Sequence, residues 1–301
     1  AKIPPTMSTT TDSTLPLGLK VKNSFKSFLG GFSGGIGLVA VGAPFDVTKV
    51  RMQSNPKEYP TVLETVRKTS QEGFLAFYKG SMVPLLLTSA RNATLWACYA
   101  SFYQHAYHVT RPEDISLGKV FIAGCVAGFG NALVEGPADL LKSKVQVQKG
   151  KQGVQYTGSL DCARQIVKRH GALGLYQAQH AVWLRNTPAN GIYMTTFQFL
   201  RRRHDEPPGP LQTFMYGGAA GTMYWIGAFP LDVVKTNMQT DASDPAQRKY
   251  KSYMHCVRSL YQRDGLRAFT RGFLPCIMRS FPANGACYVL INFIANLNER
   301  W

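Results

Sequence analysis

Charge falls along this chain in long alternating blocks. Three runs, Ser27–Phe45, Val120–Val134 and Pro207–Leu231, hold no charged residue. Three more, Gly80–Thr110, Gly171–Leu200 and Gly272–Asn298, hold one each: Arg91, Arg185 and Arg279. A helix needs ~20 mostly apolar residues to cross a bilayer. Five of the runs reach or nearly reach that length; Val120–Val134 does so only with its flanking turns. Backbone in lipid must satisfy its own hydrogen bonds, so the runs are expected to be helices. The pattern predicts an all-α membrane protein with six tilted spanning helices, joined by links that alternate long and short.

The blocks also repeat. PFDVTKVRMQ starts at Pro44, PADLLKSKVQ at Pro137 and PLDVVKTNMQ at Pro230, a constant step of 93 residues. Gly31-x-x-x-Gly35, Gly124-x-x-x-Gly128 and Gly217-x-x-x-Gly221 each end nine residues before their proline. Small residues so placed let helices approach closely where lipid supplies no hydrophobic drive. Beyond each proline comes an acidic-Gly and basic-Gly pattern, EGFLAFYKG from Glu72 and DGLRAFTRG from Asp264; the middle copy, HGALGLYQA, is degraded. Arg91, Arg185 and Arg279 lie 94 apart, as do Gln104, Gln198 and Asn292. A fixed period marks tandem structural units. The units are read as 25–115, 116–206 and 207–301 of one domain, after a flexible tail at 1–24.

Composition sharpens this picture. Lys and Arg number 34 against 17 Asp and Glu, and 21 of the 34 sit in the long links Lys49–Lys79, Lys142–Ala178 and Lys235–Gly272. With six spans those links share one side, the interior side by the positive-inside tendency. Each also holds an amphipathic stretch, Val62–Thr69, Leu160–Arg169 or Tyr253–Arg263, suited to a helix lying on the membrane surface. The basic balance is thereby explained, and no nucleic-acid role is expected. The six cysteines form no CxxC pair, so neither a disulfide framework nor a zinc site is indicated. No GxxxxGK[ST], HExxH or Ser/His/Asp set is present, and an enzyme is not expected.

The repeated charges have a geometric use. Proline bends each odd helix near its inner end. If the three helices converge there, Asp46 meets Lys142, Asp139 meets Lys235, and Asp232 meets Lys49. That closes a ring of three ion pairs across a central hole. Gln53, Gln146 and Gln239 follow each lysine by four residues and are expected to brace the pairs. The three arginines are costly in an apolar run unless they face water or a partner. At matched depth they would repel one another until an anion arrived, and guanidinium takes carboxylate or phosphate in bidentate fashion. Asn92, Asn186 and Ser280 follow them directly and offer further hydrogen bonds.

With P-x-D-x-x-K written three times, each before a long link carrying the acidic-Gly and basic-Gly pattern, the chain from Phe25 to Leu297 resembles the mitochondrial carrier family. LRNTPANGIY, MRSFPANGACY and YTGSLDCARQ are most similar to the branch that carries acylcarnitine, ornithine and other amino acids. The resemblance implies a pseudo-three-fold six-helix barrel in the mitochondrial inner membrane, with both termini towards the intermembrane space. It makes the ion-pair ring a matrix gate, the arginine positions substrate contacts, and alternating access the mechanism. It places structural cardiolipin at Lys79-Gly80 and Arg271-Gly272, with no other cofactor; Gln177 and Ala178 break that site in the middle unit. Carriers of cationic amino acids have an acid where Arg91 stands, so a carboxylate-bearing anion is expected first and a zwitterion second.

One departure opens an alternative. The charged outer gate of carriers is reduced here to Gln104, Gln198, Arg201 and Asn292. The chain then reads either as a transporter whose outer gate closes weakly, or as a carrier-fold structural subunit docked on a larger respiratory assembly. The complete inner ring and the three arginines favour transport.

Overall fold

The middle unit folds as a long helix, a short surface helix, a tight 3-10 turn and a second long helix, and the described parts of the other two units follow the same order. In the computed structural model, residues 41–79, 82–109, 114–148, 156–203 and 210–279 are described. The tail at 1–24, the Gly31 and Gly35 pair, Gly80, Ser280 and Asn292 lie outside the described residues. In chain order the helices are α1 (helical over 41–54), α2 (Val62–Gln71), α3 (Met82–Tyr107), α4 (Leu117–Val147), α5 (Ser159–His170), α6 (Gln179–Arg201), α7 (Pro210–Thr240), α8 (Tyr253–Asp264) and α9 (helical over 273–279). Among the described residues all regular structure is helical.

Local chemistry sets the helix ends. Ser116 caps α4 by accepting from the Lys119 amide, Thr61 caps α2 from Glu64, and Ser252 caps α8 from His255. The surface helices α5 and α8 stop at Gly171 and Gly265, whose positive φ of 70° and 62° turns the chain. Ala178 holds φ 59° where the other units write glycine, a left-handed backbone that disfavours a Cβ.

α3 packs on α4, α4 on α6, and α6 on α7. The α4–α6 contact explains the middle glycine pair. A Cβ at Gly128 would stand 2.3 Å from the Asn186 carbonyl oxygen, and one at Gly124 would stand 2.8 Å from that of Asn190. The two backbones touch because nothing projects between them. At Gly217 and Gly221 no described atom comes within 4 Å.

Polarity runs opposite to that of a soluble bundle. Asn131, Glu135, Arg185, Asn186 and Asn190 are buried, while Ile122, Val126, Phe129 and Leu133 line the exposed side of α4. Met215, Met223 and Ile226 do the same on α7. An apolar exterior over a polar interior suits lipid as the surrounding solvent. One described helix, Leu117–Val147, is long and apolar enough to cross a membrane. It grows from the run that looked shortest, because helix continues through Pro137 to the end of the motif. α6 and α7 carry the interior Arg, Asn, Asp, Lys and Gln, which dilutes their apolar character without touching their outer faces.

The surface helices enclose thiols. Cys162 on α5 and Cys256 on α8 are fully buried. Burial pushes the Cys162 thiol up to about 11 and the Cys256 thiol up to about 12. Both are expected to resist N-ethylmaleimide at pH 8 in the folded protein and to react once it is unfolded, as counted by mass spectrometry. The glycines of α4 give a second expectation. Gly128→Ala should lower thermal stability by about 1–3 kcal/mol through backbone collision. Gly118→Ala, on the same helix with nothing within 4 Å, should be neutral or stabilising by up to about 1 kcal/mol in the same melting assay.

Candidate functional site

In the C-terminal parts of α1, α4 and α7 each aspartate meets the lysine of the next unit. Lys142 Nζ donates to Asp46 at 2.6 Å, and Lys49 Nζ lies 2.6 Å from Asp232. Lys235 donates to Asp139 to close the set. The three pairs differ in exposure: Asp232 is fully enclosed, whereas the Lys142–Asp46 pair keeps about a fifth of its surface open. Trp225 of α7 lies under the Lys49 ammonium, 4.2 Å from ring centre to nitrogen. The cation therefore has an aromatic face as well as a carboxylate.

Above this ring stands a second layer of charge. Arg185 of α6 is buried and fully engaged. Its Nη1 donates to Asp232 at 3.0 Å, its Nη2 to Glu135 at 2.5 Å, and its Nε to the Asn186 side chain at 2.7 Å. Asp139 lies 3.9 Å from the same guanidinium. Arg279 of α9 comes within 3.2 Å of Asp46. Arg91 of α3 reaches Glu135 only at 3.7 Å, and 38% of its side chain remains exposed.

This layer corrects the expected cage of mutually repelling arginines. Each guanidinium has a carboxylate, because Glu135 stands among them and the ring aspartates reach up from below. Glu135 closes off the uncharged run Val120–Val134, so it reads as a segment boundary. Alignment of the repeats carries the missing signal: Gly42 and Ala228 occupy its position in the other units. Its Oε2 accepts from Asn131 and from Asn186, both at 2.9 Å.

The glutamine braces are also corrected. Gln53 and Gln146 are buried with neither amide atom hydrogen-bonded, and Gln239 donates to the Gly136 carbonyl instead of supporting an ion pair. Each lysine turns its ammonium to an aspartate on another helix, away from the glutamine of its own. Interlocking falls to residues that looked like loop charge. Arg51 is buried, holds Glu72 in a bidentate pair at 2.5 and 2.9 Å, and donates to the Gln146 and Gln148 carbonyls of the next unit. Lys144, its counterpart in the second unit, donates to the Asp241 carbonyl of the third at 2.6 Å.

At the loop ends, Lys79 pairs with Glu72 at 3.2 Å and Arg271 with Asp264 at 3.0 Å. Gly272 has φ 82° and abuts the Lys49 backbone. Gln177 donates to the Met238, Asp241 and Ala242 carbonyls at the end of α7, so the degraded middle motif serves as a contact between units. At the far end, Gln104 is exposed on α3, whereas Gln198 is buried with its Oε1 unpartnered. Arg201 closes the last turn of α6, where a cation suits the carbonyl end of a helix. Asn92 follows Arg91 on α3.

A family model described as mitochondrial carrier protein matches residues 20–109, 113–205 and 206–299. The chain is 32% identical over 292 residues to the glutamate/glycine mitochondrial carrier ymc1 of Schizosaccharomyces pombe, covering 91% of this chain and 95% of that protein. It is 33% identical over 275 residues to the human mitochondrial basic amino acids transporter, covering 89% of this chain and 88% of that one. It is 33% identical over 277 residues to mitochondrial substrate carrier family protein L of Dictyostelium discoideum, covering 90% and 94%.

Removing one partner of a buried ion pair leaves an uncompensated charge and costs about 3–5 kcal/mol. Asp232→Asn strands Lys49 and takes one of two close carboxylates from Arg185, so it should lower the melting temperature more than Asp46→Asn, whose pair is partly solvated. Scanning fluorimetry of the two variants in one detergent checks the order.

Proposed function

The chain belongs to the mitochondrial carrier protein family, and on that premise we propose that it moves a small carboxylate-bearing metabolite, anion or zwitterion, across the mitochondrial inner membrane. The fold in the membrane is a barrel of six spanning helices with pseudo-three-fold symmetry and both termini towards the intermembrane space. The observation that carries the reading is the closed set of three ion pairs between units, lying directly below a layer of arginines. One layer is a door and the other a binding site, and they share carboxylates.

In the conformation described, the inner side is shut by Asp46–Lys142, Asp139–Lys235 and Asp232–Lys49. Substrate enters from the outer side, where Gln104 and Gln198 supply no charge to hold that end closed. Arg91, with Asn92 beside it, and Arg279, with Ser280 beside it, offer guanidinium to the substrate carboxylate. Arg185 and Asn186 form the fixed wall behind them. Semi-buried pairs contribute little net stability because desolvation offsets attraction, so the ring opens without a large penalty. Cardiolipin at Lys79-Gly80 and Arg271-Gly272 belongs to the same proposal. There a lipid phosphate competes with Glu72 and Asp264 for cations already paired within their own loops.

Docking on a respiratory assembly as a transport-silent subunit is the weaker reading, since it needs neither layer. Reconstitution of the purified chain in liposomes, tested against carboxylates, amino acids, acylcarnitines and nucleotides, separates the two. Uptake of at least one carboxylate-bearing compound is expected. Arg279→Ala and Arg185→Ala should each cut that uptake at least tenfold, with Arg185→Ala alone also lowering the melting temperature strongly, because it releases Glu135 and Asp232 together. Normal uptake in both variants excludes the arginine layer as the binding site.

A further inference from the structure

We propose that Glu135 sets the substrate class of the central site, Arg91 holding the carboxylate of a zwitterion and Glu135 its ammonium. This rests on the transport reading above and narrows its cargo to compounds that carry both charges close together, as α-amino acids do.

The three central arginines are not equivalent. Arg185 is already committed: it is buried and donates to Asp232, Glu135 and Asn186. Arg279 lies 3.2 Å from Asp46 in the inner ring. Among the described residues Arg91 alone is both substantially exposed and loosely held, its ion pair being the 3.7 Å approach to Glu135 Oε1. That distance is beyond hydrogen-bond range. The most easily separated pair in the centre is therefore Arg91 with Glu135.

Glu135 is held in place from the other side. Asn131 and Asn186 fix its Oε2, and Arg185 binds its Oε1 at 2.5 Å, so the carboxylate cannot swing away when Arg91 takes another partner. A zwitterion entering between Arg91 and Glu135 exchanges one long ion pair for two short ones and leaves the net charge of the layer unchanged. A simple dianion gains Arg91 but meets the fixed negative charge of Glu135. A simple cation gains Glu135 but meets Arg91 and Arg185. Position adds a second, independent observation. Gly42 and Ala228 stand where Glu135 stands in the other two units, and Leu38 and Tyr224 stand where Asn131 stands. The carboxylate and its support break three-fold symmetry together, as recognition of an asymmetric ligand by one unit requires.

The test compares pairs of compounds that differ only in an α-ammonium: glutamate with glutarate, and ornithine with 5-aminovalerate. Uptake into liposomes carrying the purified full chain is measured for wild type, Glu135→Gln and Glu135→Asp. Ligand-induced melting shifts in detergent read binding without turnover. Wild type is expected to favour the α-amino member of at least one pair. Glu135→Gln should lower that preference at least tenfold, chiefly through KM, and Glu135→Asp should restore most of it. An unchanged ratio in Glu135→Gln, or a loss shared equally by both members, overturns the assignment and leaves Glu135 as a mere support for Arg185. A wild-type preference for the deaminated members overturns it as well. Wild-type protein that moves another carboxylate-bearing compound but neither moves nor binds any of the four defeats the assignment alone, whereas uptake of nothing in the wider panel defeats the transport reading with it. Uptake with an unmoved ratio defeats the assignment alone.

Discussion

Asp46, Asp139 and Asp232 each lie three residues before a lysine of their own helix, yet each pairs with the lysine of the following unit. Intrahelical pairing would contribute a few tenths of a kcal/mol and leave three units free to drift. Pairing across units makes each of α1, α4 and α7 answerable to the other two. Once that triangle is set, other contacts follow the same direction. Arg51 reaches forward to the carbonyl end of α4, and Lys144 reaches forward to the loop after α7. Asn237 completes the series by position but bonds Val233 of its own helix. Between the third unit and the first the work passes to Lys49–Asp232 and to the Ser54–Thr240 hydrogen bond.

Periodicity made much of this readable in the chain. A step of 93 residues places one Asp and one Lys at equal height on three helices, and equal height is what allows a closed set of pairs. The same logic misled at the glutamines, whose equal spacing says nothing about the reach of a side chain. It failed in the other direction at Glu135 and Arg51. Repetition draws attention to what the units share, whereas the central layer owes its character to a residue that one unit has and two lack. Arg51 was hidden by composition. Counted among basic loop residues it looks solvated, but in the fold it is buried against Glu72 and two backbone carbonyls. The glycine pairs show a similar limit: the middle pair lets two backbones touch, as the motif suggests, and a motif alone cannot say which neighbour it meets.

Gathering six cations around four carboxylates, most of them buried or half-buried, is tolerable only if the groups are arranged so that none is left alone. The arrangement here achieves this by sharing. Asp232 serves Lys49 and Arg185, Asp46 serves Lys142 and approaches Arg279, and Glu135 serves Arg185 and approaches Arg91. Sharing also explains why the apolar side chains of α4 and α7 face outward. The interior is occupied by charge, so helix packing there depends on small residues and ion pairs, and the lipid-facing surface is where large hydrophobic side chains fit.

Shared carboxylates tie the proposed binding site to the proposed door. A substrate carboxylate that draws Arg279 away from Asp46 leaves Asp46 with Lys142 alone, in the pair most open to water. Asp46 then answers to α4 and no longer to α9, so on the proposed mechanism substrate binding and rearrangement around the ring become one redistribution of partners. A ligand shifts a conformational equilibrium only by its difference in affinity for the two states. The difference arises here because the closed state makes substrate compete with Asp46 for Arg279, while an opened ring withdraws that competitor. On the proposed mechanism substrate binds the opened arrangement more tightly, and it need touch none of the three lysines to favour it.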